Sequence, residues 1–449
     1  MKYLFRNVAS VYVLAALLTF CAFGLSCGGT STNTTVQTNA NTGTSRAPSP
    51  PPVAEVAVNN TMFTLPLLDA LLSDQDFLTE AKRKVSLTDE EVDRLRDVSH
   101  KSVGELSEEG EEGSRSARSA NEQALSKIRA ILGNERTDKL ITLAQQHSGA
   151  GDVAVASKPN SVPTDTRIVV NAPAYRMDVF KEGKLLKTYK IGIGYPEFPL
   201  PTGMRKASSI IFNPTWTPPD EPWVKGKVKA GEKVEAGDKL NPLGPIKIPI
   251  GLPSLIHGGK SPARLGTFAS HGCVGLTNGQ VQDFAIVLSS LAGQEISLAD
   301  IKGYEKAKTE TKEVKLGQPV MVELRYETIV VENGTLKIFR DVYEQGTNTE
   351  ENIRKVLEVY GLNLDSLQPA VKQQIMDGIR QQATDAQGQP ADANSSETGK
   401  ANSNKSSKGN SNANSGNVTR TIKGKKEIDI MIPELAGKGY PAPVAMSMQ

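Results

Sequence analysis

The sequence SLIHGGKSPARLGTFASHGCVGLTN, residues 254–278, places two histidines and a cysteine where they could do covalent chemistry. A cysteine attacks as the thiolate, and because the pKa of an ordinary thiol is about 8.5, Cys273 would need a base or a positive charge nearby. His271 lies two residues before Cys273, and in an extended strand residues i and i+2 point to the same side. His257 follows an apolar run and could approach the thiol from the other side. The residues alone therefore do not decide whether His257 or His271 is the base.

Gly272 stands between His271 and Cys273. Glycine permits a sharp turn and a close approach of a substrate to the backbone, so the N–H groups of Gly272 and Cys273 could stabilise an oxyanion. A metal site is the alternative, because two histidines and a cysteine are three possible zinc ligands. No fourth ligand lies close by, and the spacing is not that of a familiar zinc motif. We therefore expect neither a metal nor a cofactor.

The N-terminal sequence predicts export. Lys2 and Arg6 precede an apolar run over residues 8–25, which is the layout of a secretory signal. The ending GLSC followed by GG resembles a bacterial lipoprotein signal, in which Cys27 would be lipidated. A cleaved ordinary signal and a retained anchor helix are the alternatives. All three place the protein in the cell envelope or periplasm, and two of them hold it at a membrane through an N-terminal lipid or anchor.

Export makes the remaining cysteine unusual. The chain has three cysteines, and Cys273 is the one that lies outside the export segment. Exported proteins tend to pair their cysteines or to lack them, so a lone thiol is a candidate reactive group. A buried, inert cysteine is the alternative.

Composition limits the classes of function. The formal net charge is +2, which makes no electrostatic case for nucleic acid, and two Trp and eleven Phe argue against an aromatic platform for bases. The hydrophobic content of 38% is low for one compact globule and predicts that part of the chain does not fold. A length of 449 residues leaves room for two or three domains.

Local patterns divide the chain into segments. Thr88 with Glu91 and Ser119 with Glu122 are typical of helix-capping boxes, and short β-branched runs separated by Gly, Pro and Asn begin at Thr166. The predicted segments are a leader (1–27), a disordered tether (28–60), a helical segment (63–147), a β-rich domain (166–301), an accessory strand pair continuing it (312–345), a second helical segment (349–381), a disordered low-complexity segment (383–420) and an unassigned C-terminal segment (421–449). The first helical segment is either a spacer or a module that contacts a partner or the wall.

The stretch around Cys273 resembles the L,D-transpeptidase catalytic domain, the YkuD-like family. The signature of that family is His-Gly, a spacer, and then Ser/Thr-His-Gly-Cys, which here reads IHGG…LGTFASHGCVGLTN. LPTGMRKASSIIFNPTWTPP, NPLGPIKI, RIVVNAPAYRMDVFKEGKLLKTYKIGIG and PVMVELRYETIVVENGTLKIFRDVYEQG resemble further family segments. The resemblance thus covers roughly residues 166–345.

The resemblance implies a mainly β, β-sandwich-like catalytic domain, here with flanking α-helical segments and disordered linkers. It also implies an acyltransferase that acts on the tetrapeptide stems of peptidoglycan. The cysteine attacks the carbonyl before a terminal D-Ala, D-Ala leaves, and an amine of a neighbouring stem resolves the thioester. Carried over to this chain, Cys273 is the nucleophile and His257 the base, with the Gly258 carbonyl as its orienter. Ser270 and His271 would shape the site beside the nucleophile.

The sequence departs from the family pattern at one position. The family commonly has Arg where this chain has Gly275, and the sequence offers Arg264 or Asn278 as substrate-binding replacements. The departure leaves two alternatives beside a transpeptidase: a carboxypeptidase with water as the acceptor, and a wall-binding structural lipoprotein without catalysis.

Overall fold

A computed structural model describes residues 62–104, 116–147, 158–217, 232–388 and 418–444. The predicted leader (1–27), the predicted tether (28–60) and most of the predicted low-complexity segment lie outside the described residues. No helix in the described part of the chain is long and apolar enough to cross a membrane.

Five helices form the N-terminal segment of the described chain, around a core that includes Leu68, Phe77, Leu95, Ile128 and Leu140. They are α1 (Leu65–Leu72), α2 (Gln75–Lys84), α3 (Asp89–Gly104), α4 (Ala117–Leu132) and α5 (Asn134–His147).

The start of α3 has the capping box that the sequence predicts. The Thr88 Oγ1 accepts a hydrogen bond from the Glu91 N–H, and the Thr88 N–H donates to the Glu91 carboxylate. Helix α4 differs, because Ser116 and not Ser119 is its N-cap. Both serines are suitable cap residues, so residue type alone did not identify the cap.

The β-rich domain has ten strands among the described residues. They are β1 (Arg167–Asn171), β2 (Arg176–Lys181), β3 (Lys184–Lys190), β4 (Ile193–Gly194), β5 (Gly203–Phe212), β6 (Ile246–Pro249), β7 (Leu255–His257), β8 (Phe268–Ser270), β9 (Val274–Gly275) and β10 (Lys312–Arg325). Eight of them form one sheet in the order β3-β2-β1-β10-β5-β6-β7-β9, and β4 pairs with β8. The mainly β fold class predicted from the sequence is confirmed.

Two helices follow the strands that carry the site. Helix α6 (Asn278–Leu291) begins with a reciprocal capping box between Thr277 and Gln280, and α7 (Leu298–Lys306) follows it. Val281, Phe284 and Leu288 of α6 belong to the same buried core as the sheet residues. Helix α6 therefore anchors the chain directly after β9.

The predicted end of the β-rich domain at residue 301 is wrong. Strand β10 was predicted to belong to an accessory pair, but it pairs with β1 in parallel and with β5 antiparallel, in the middle of the eight-stranded sheet. A hydrophobic pattern identifies a strand but not its partners. The chain returns to the centre of the sheet only after two helices, so the order of the strands in the sequence did not indicate where β10 would pair.

The rest of the predicted pair lies in a separate three-stranded sheet. Strands β11 (Ile329–Glu332) and β12 (Thr335–Phe339) form the predicted Asn-Gly hairpin, and β13 (Glu427–Met431) pairs with β12. Helices α8 (Glu350–Val359) and α9 (Pro369–Gln382) share its buried core. The C-terminal segment that the sequence left unassigned therefore supplies a strand.

Strand β10 carries charged side chains that are buried because the strand lies in the middle of the sheet. The Glu323 carboxylate is fully buried, and it accepts hydrogen bonds from Arg325 Nε and Arg167 Nη1, each at 2.8 Å. Burial alone would raise the pKa of Glu323, but its bonds to Arg325 and Arg167 outweigh that effect and lower it. The carboxylate is therefore ionised and neutralises Arg325, which is only 4% exposed.

Glu323→Gln should lower the free energy of unfolding by about 3 kcal/mol, because it removes the carboxylate that bonds both Arg325 and Arg167 and leaves the buried Arg325 only a longer contact with Glu327, at 3.8 Å. Urea unfolding followed by circular dichroism measures the change. Asp429→Asn is the control, since Asp429 is 51% exposed in its pair with Lys337, and an exposed pair contributes less than about 1 kcal/mol. Equal effects of the two substitutions would contradict the central, buried position of β10.

Candidate active site

The pairing of β7 with β9 brings the candidate residues together. The two strands are parallel, with Ile256 opposite Val274 and His257 opposite Gly275. Strand β7 also pairs with β6, so His257 lies at the end of a strand held on both sides. Cys273 directly precedes β9 and lines the same cleft as His257. Two residues that are sixteen positions apart in the sequence thus meet at one end of two short strands.

The Cys273 thiol is partly exposed and faces an environment that keeps it protonated. Burial raises the pKa of Cys273. A backbone hydrogen bond from Leu255 and the positive charge of Lys260 act in the opposite direction, but they do not offset the burial. Because the thiol is not the nucleophilic form, attack requires a group that accepts its proton.

The His257 imidazole is placed to accept a proton. It is 3% exposed, and its Nδ1 lies 2.7 Å from the Gly258 carbonyl oxygen. A carbonyl only accepts, so Nδ1 carries the hydrogen and Nε2 keeps its lone pair. The pKa of His257 is lowered to about 3, chiefly by burial and also by the charge of Lys260, while the Gly258 and Leu243 carbonyls oppose the shift. The ring is therefore neutral at physiological pH.

Cys273 and His257 share no hydrogen bond in the part of the chain that the structure describes. The contact between a catalytic base and its nucleophile often forms only when substrate is bound. The arrangement is therefore that of a neutral thiol and a neutral imidazole in one cleft, and not of a preformed thiolate–imidazolium pair.

His271 lies in a different environment. Its ring makes edge-on contacts with Phe198, at 4.5 Å between centroids, and with Tyr195, at 5.2 Å. The side chain lines the cleft, and both aromatic rings pack against it. The His257 ring is oriented by the Gly258 carbonyl, which leaves its Nε2 able to accept a proton.

The Ser270 side chain bonds to the backbone of Cys273, the candidate nucleophile. The Ser270 Oγ donates to the Cys273 carbonyl at 2.6 Å and accepts from the Cys273 N–H at 3.0 Å. The prediction that the Cys273 N–H is open to an oxyanion is therefore wrong for this state. The cause is the turn at Gly272, whose φ of +85° closes the chain back on Ser270.

Gly272 keeps a possible role in stabilising charge. Its carbonyl accepts a hydrogen bond from Ser254 Oγ at 2.8 Å, while its N–H has no acceptor among the described residues. Gly272 lines the cleft, so this N–H is the remaining candidate from the predicted oxyanion pair.

The two residues predicted to bind substrate in place of an arginine have other contacts. Arg264 ends a short 3-10 helix (Pro262–Arg264), lines the cleft and donates from Nη2 to the Tyr195 hydroxyl at 3.0 Å. Asn278 does not line the cleft, and its Oδ1 accepts from the Gly259 N–H at 2.7 Å. The prediction that Asn278 binds substrate does not fit this position, because the side chain holds the loop after His257.

Sequence reasoning missed two components of the site. The cleft has a volume of about 750 Å³, and helix α1 forms one wall through Pro66, Leu67, Asp69 and Ala70. A volume of this size is within the range of small-molecule sites. The other missed residue is Lys260, whose side chain lies over Gly275. Nothing in the sequence indicates the wall, whereas Lys260 could have been noticed from its place after His257-Gly-Gly.

No group of three or more His, Cys, Asp or Glu side chains is placed to hold a metal ion within the described ranges. The described residues that line the cleft supply a thiol, two imidazoles, one carboxylate and two cationic side chains.

Residues 165–321 match the family model of the L,D-transpeptidase catalytic domain, YkuD. This match confirms, for that part of the chain, the family resemblance predicted from the sequence. No curated protein matches the chain significantly.

Solved structures of L,D-transpeptidases are similar to part of the chain. The catalytic domain of the Enterococcus faecium enzyme is 17% identical over 37% of this chain and 100% of its own, with a TM-score of 0.24. The Mycobacterium smegmatis enzyme is 16% identical over 36% of this chain and 58% of its own, with a TM-score of 0.23. A Mycobacterium tuberculosis enzyme is 16% identical over 36% of this chain and 57% of its own, with a TM-score of 0.20. The chain thus spans little more than half of the two mycobacterial proteins, and at these scores the likenesses do not bear on function.

Alkylation of Cys273 by iodoacetamide should accelerate with pH. Because the pKa of Cys273 is raised, the thiolate fraction grows about ten-fold per pH unit below that pKa. Peptide mass spectrometry after timed quenching measures the rate at Cys273 between pH 6.5 and 8.5. The titratable side chains that line the cleft beside Cys273 are His257, His271, Lys260 and Asp69.

N-acetylcysteine treated in parallel is the control for the reagent. Its rate should also rise about ten-fold per pH unit over this range, because its thiol too is mostly protonated there. A rate at Cys273 that is already constant below pH 7 would mean a preformed thiolate and would contradict the neutral pair.

Proposed function

We propose that this protein is a peptidoglycan L,D-transpeptidase that works through an acyl-enzyme on Cys273. The observation that carries the proposal is the shared cleft of Cys273 and a neutral, carbonyl-oriented His257, within the residues that match the family model. A nucleophile, a base and the group that orients the base are the recurring parts of covalent acyl transfer. The substrate class, a tetrapeptide stem, is supported by the family match.

In the first half-reaction, His257 Nε2 takes the thiol proton and Cys273 Sγ attacks the carbonyl carbon before the terminal D-Ala. The carbonyl π electrons move to oxygen, and the Gly272 N–H is the candidate donor to that oxyanion. Collapse of the intermediate breaks the C–N bond. The proton on His257 passes to the departing amine, so D-Ala leaves and a thioester remains.

In the second half-reaction, an amine of another stem attacks the thioester and gives its proton to His257. The C–S bond breaks, a new amide forms, and the thiolate regains its proton from His257. Water in place of the amine would give a carboxypeptidase by the same steps. The described residues include no feature that separates the two acceptors.

The low pKa of the base favours return of the proton over its uptake. A group that is neutral at physiological pH is free to take a proton, and a pKa of about 3 means that it returns the proton readily. The same low basicity makes the first transfer uphill in the empty cleft. We therefore expect bound substrate, which replaces water around the thiol, to bring Cys273 and His257 into contact.

We also propose export, with a lipid on Cys27 holding the protein at a membrane of the cell envelope. The basis is the N-terminal sequence alone. If so, expression with radiolabelled palmitate in a bacterium should label the wild-type protein, whereas Cys27→Ala should take up none. Label that persists in Cys27→Ala would contradict lipidation at that residue.

A carbapenem tests the acyl-enzyme, since its strained amide traps an activated nucleophile. Intact mass should show one adduct on the wild-type protein and none on Cys273→Ala. A wild-type protein that gains no adduct, or an equal adduct on Cys273→Ala, would favour the alternative of a wall-binding protein without catalysis.

His257→Gln tests the base separately. Loss of a general base should slow acylation by roughly 10²- to 10⁴-fold, as measured from the rate of adduct formation. His100→Gln is the matched control, because His100 lies in α3 with a side chain that is 46% exposed. Equal rates for the two variants would remove His257 from this role.

A further inference from the structure

Gly275 leaves a space that Lys260 fills. A Cβ atom built on Gly275 would lie 2.8 Å from Lys260 Cγ and 3.1 Å from Lys260 Cε, closer than such atoms normally approach. The aliphatic part of the lysine therefore runs across the glycine. Its backbone is fixed there, because the Lys260 N–H donates to the Leu276 carbonyl at 3.0 Å. Any side chain at position 275 would have to displace it.

The Lys260 side chain forms part of the wall of the cleft. Lys260 lines the cleft together with Cys273 and His257. Its positive charge acts on both of them, since it lowers the pKa of the imidazole and of the thiol. A charge that influences both reacting groups is close enough to act on a ligand that lies between them.

The cleft has a second cation, which acts less directly on the reacting groups. Of the described residues that line the cleft, the lysine and arginine side chains are Lys260 and Arg264. The charge of Lys260 contributes to the pKa shifts of both His257 and Cys273, whereas Arg264 contributes to neither and donates to the Tyr195 hydroxyl. Asp69, on the α1 wall, is the acidic side chain of the cleft, and its carboxylate accepts from Ser99 Oγ at 3.1 Å.

We propose that Lys260 is a substrate-binding residue whose ammonium group pairs with a carboxylate of the acyl donor, and that Gly275 is required to give it this position. The identity of the donor rests on the proposed function, whereas the selectivity of the cleft for an anion does not. The family commonly carries an arginine where this chain has Gly275. Here the cation enters the same space from the loop after His257 and not from β9.

Two reagents that differ only in charge test this proposal at Cys273. Iodoacetate is an anion and iodoacetamide a neutral amide of nearly the same size, and both alkylate the same thiolate. The ratio of their rates therefore cancels any change in the pKa of the thiol and leaves the preference of the cleft for a carboxylate. The full chain is treated at pH 7.5, and the rates at the Cys273 peptide are read by mass spectrometry.

Lys260→Ala should lower the iodoacetate-to-iodoacetamide ratio about five-fold, the scale of one partly exposed ion pair. Gly275→Ala should lower it as well, because the added methyl group displaces the lysine without removing its charge. Lys206→Met is the control and should leave the ratio unchanged, since Lys206 is an exposed residue of β5 outside the cleft. The same ratio in wild type and Lys260→Ala would overturn the proposal.

An unfolded variant would also lose selectivity, so a rescue is needed. Lys260→Ala combined with Gly275→Arg restores a cation to the vacated space and should raise the ratio again, which an unfolded chain could not do. Failure of this rescue would also count against the proposal. A cleft that prefers iodoacetate but gains no carbapenem adduct would keep Lys260 in its role and remove the transpeptidase, so the two failures are distinguishable.

Discussion

The site depends on the parallel pairing of two very short strands, β7 and β9. This pairing sets His257 beside Gly275 and leaves Cys273 just before the strand. Neither strand is long enough to be stable alone, so the contacts around them matter. The Leu276 N–H donates to the His257 carbonyl at 2.8 Å, and the Gly258 N–H donates to the Ile246 carbonyl of β6 at 3.1 Å. A shift of one residue in this register would turn the side chains of β9 to the opposite face.

Helix α6 holds the register between β7 and β9 in place. It starts three residues after β9, its capping box satisfies the N–H groups at its start, and its apolar face is buried under the sheet. Asn278, in its first turn, holds the loop after His257 through the Gly259 N–H. The start of the loop that carries Lys260 is held by this bond and by the bond from the Lys260 N–H to the Leu276 carbonyl. The electrostatics of the cleft then follow from burial, which disfavours both imidazolium and thiolate.

Sequence reasoning reached local features more easily than the order of the strands. Cys273 and both candidate bases lie in a compact motif, so local spacing was enough to propose them, whereas the choice of His257 came from the family resemblance. The Thr88 capping box and the Asn-Gly hairpin were equally local. The central position of β10 was missed because strand partners depend on the whole sheet. The α1 wall was missed because it is a contact between segments far apart in the chain.

Other errors came from hydrogen bonds that residue type does not reveal. The Cys273 N–H was predicted to face an oxyanion, but the φ of Gly272 turns it toward Ser270. Asn278 was predicted to bind substrate because it is polar and near the motif, yet its amide oxygen serves the backbone. The absence of a side chain at Gly275 was interpreted as the loss of the arginine that the family commonly has there. Only the structure shows that Lys260 occupies the space.

The central claim is that Cys273 carries the acyl group of a stem peptide. The most direct measurement is a rapid-quench reaction of the protein with a disaccharide-tetrapeptide in the absence of an acceptor. Peptide mass spectrometry and D-alanine release are followed together. We expect a thioester on Cys273 that appears in step with one equivalent of released D-Ala. D-Ala release without acylation of Cys273, or undiminished release from Cys273→Ala, would contradict it.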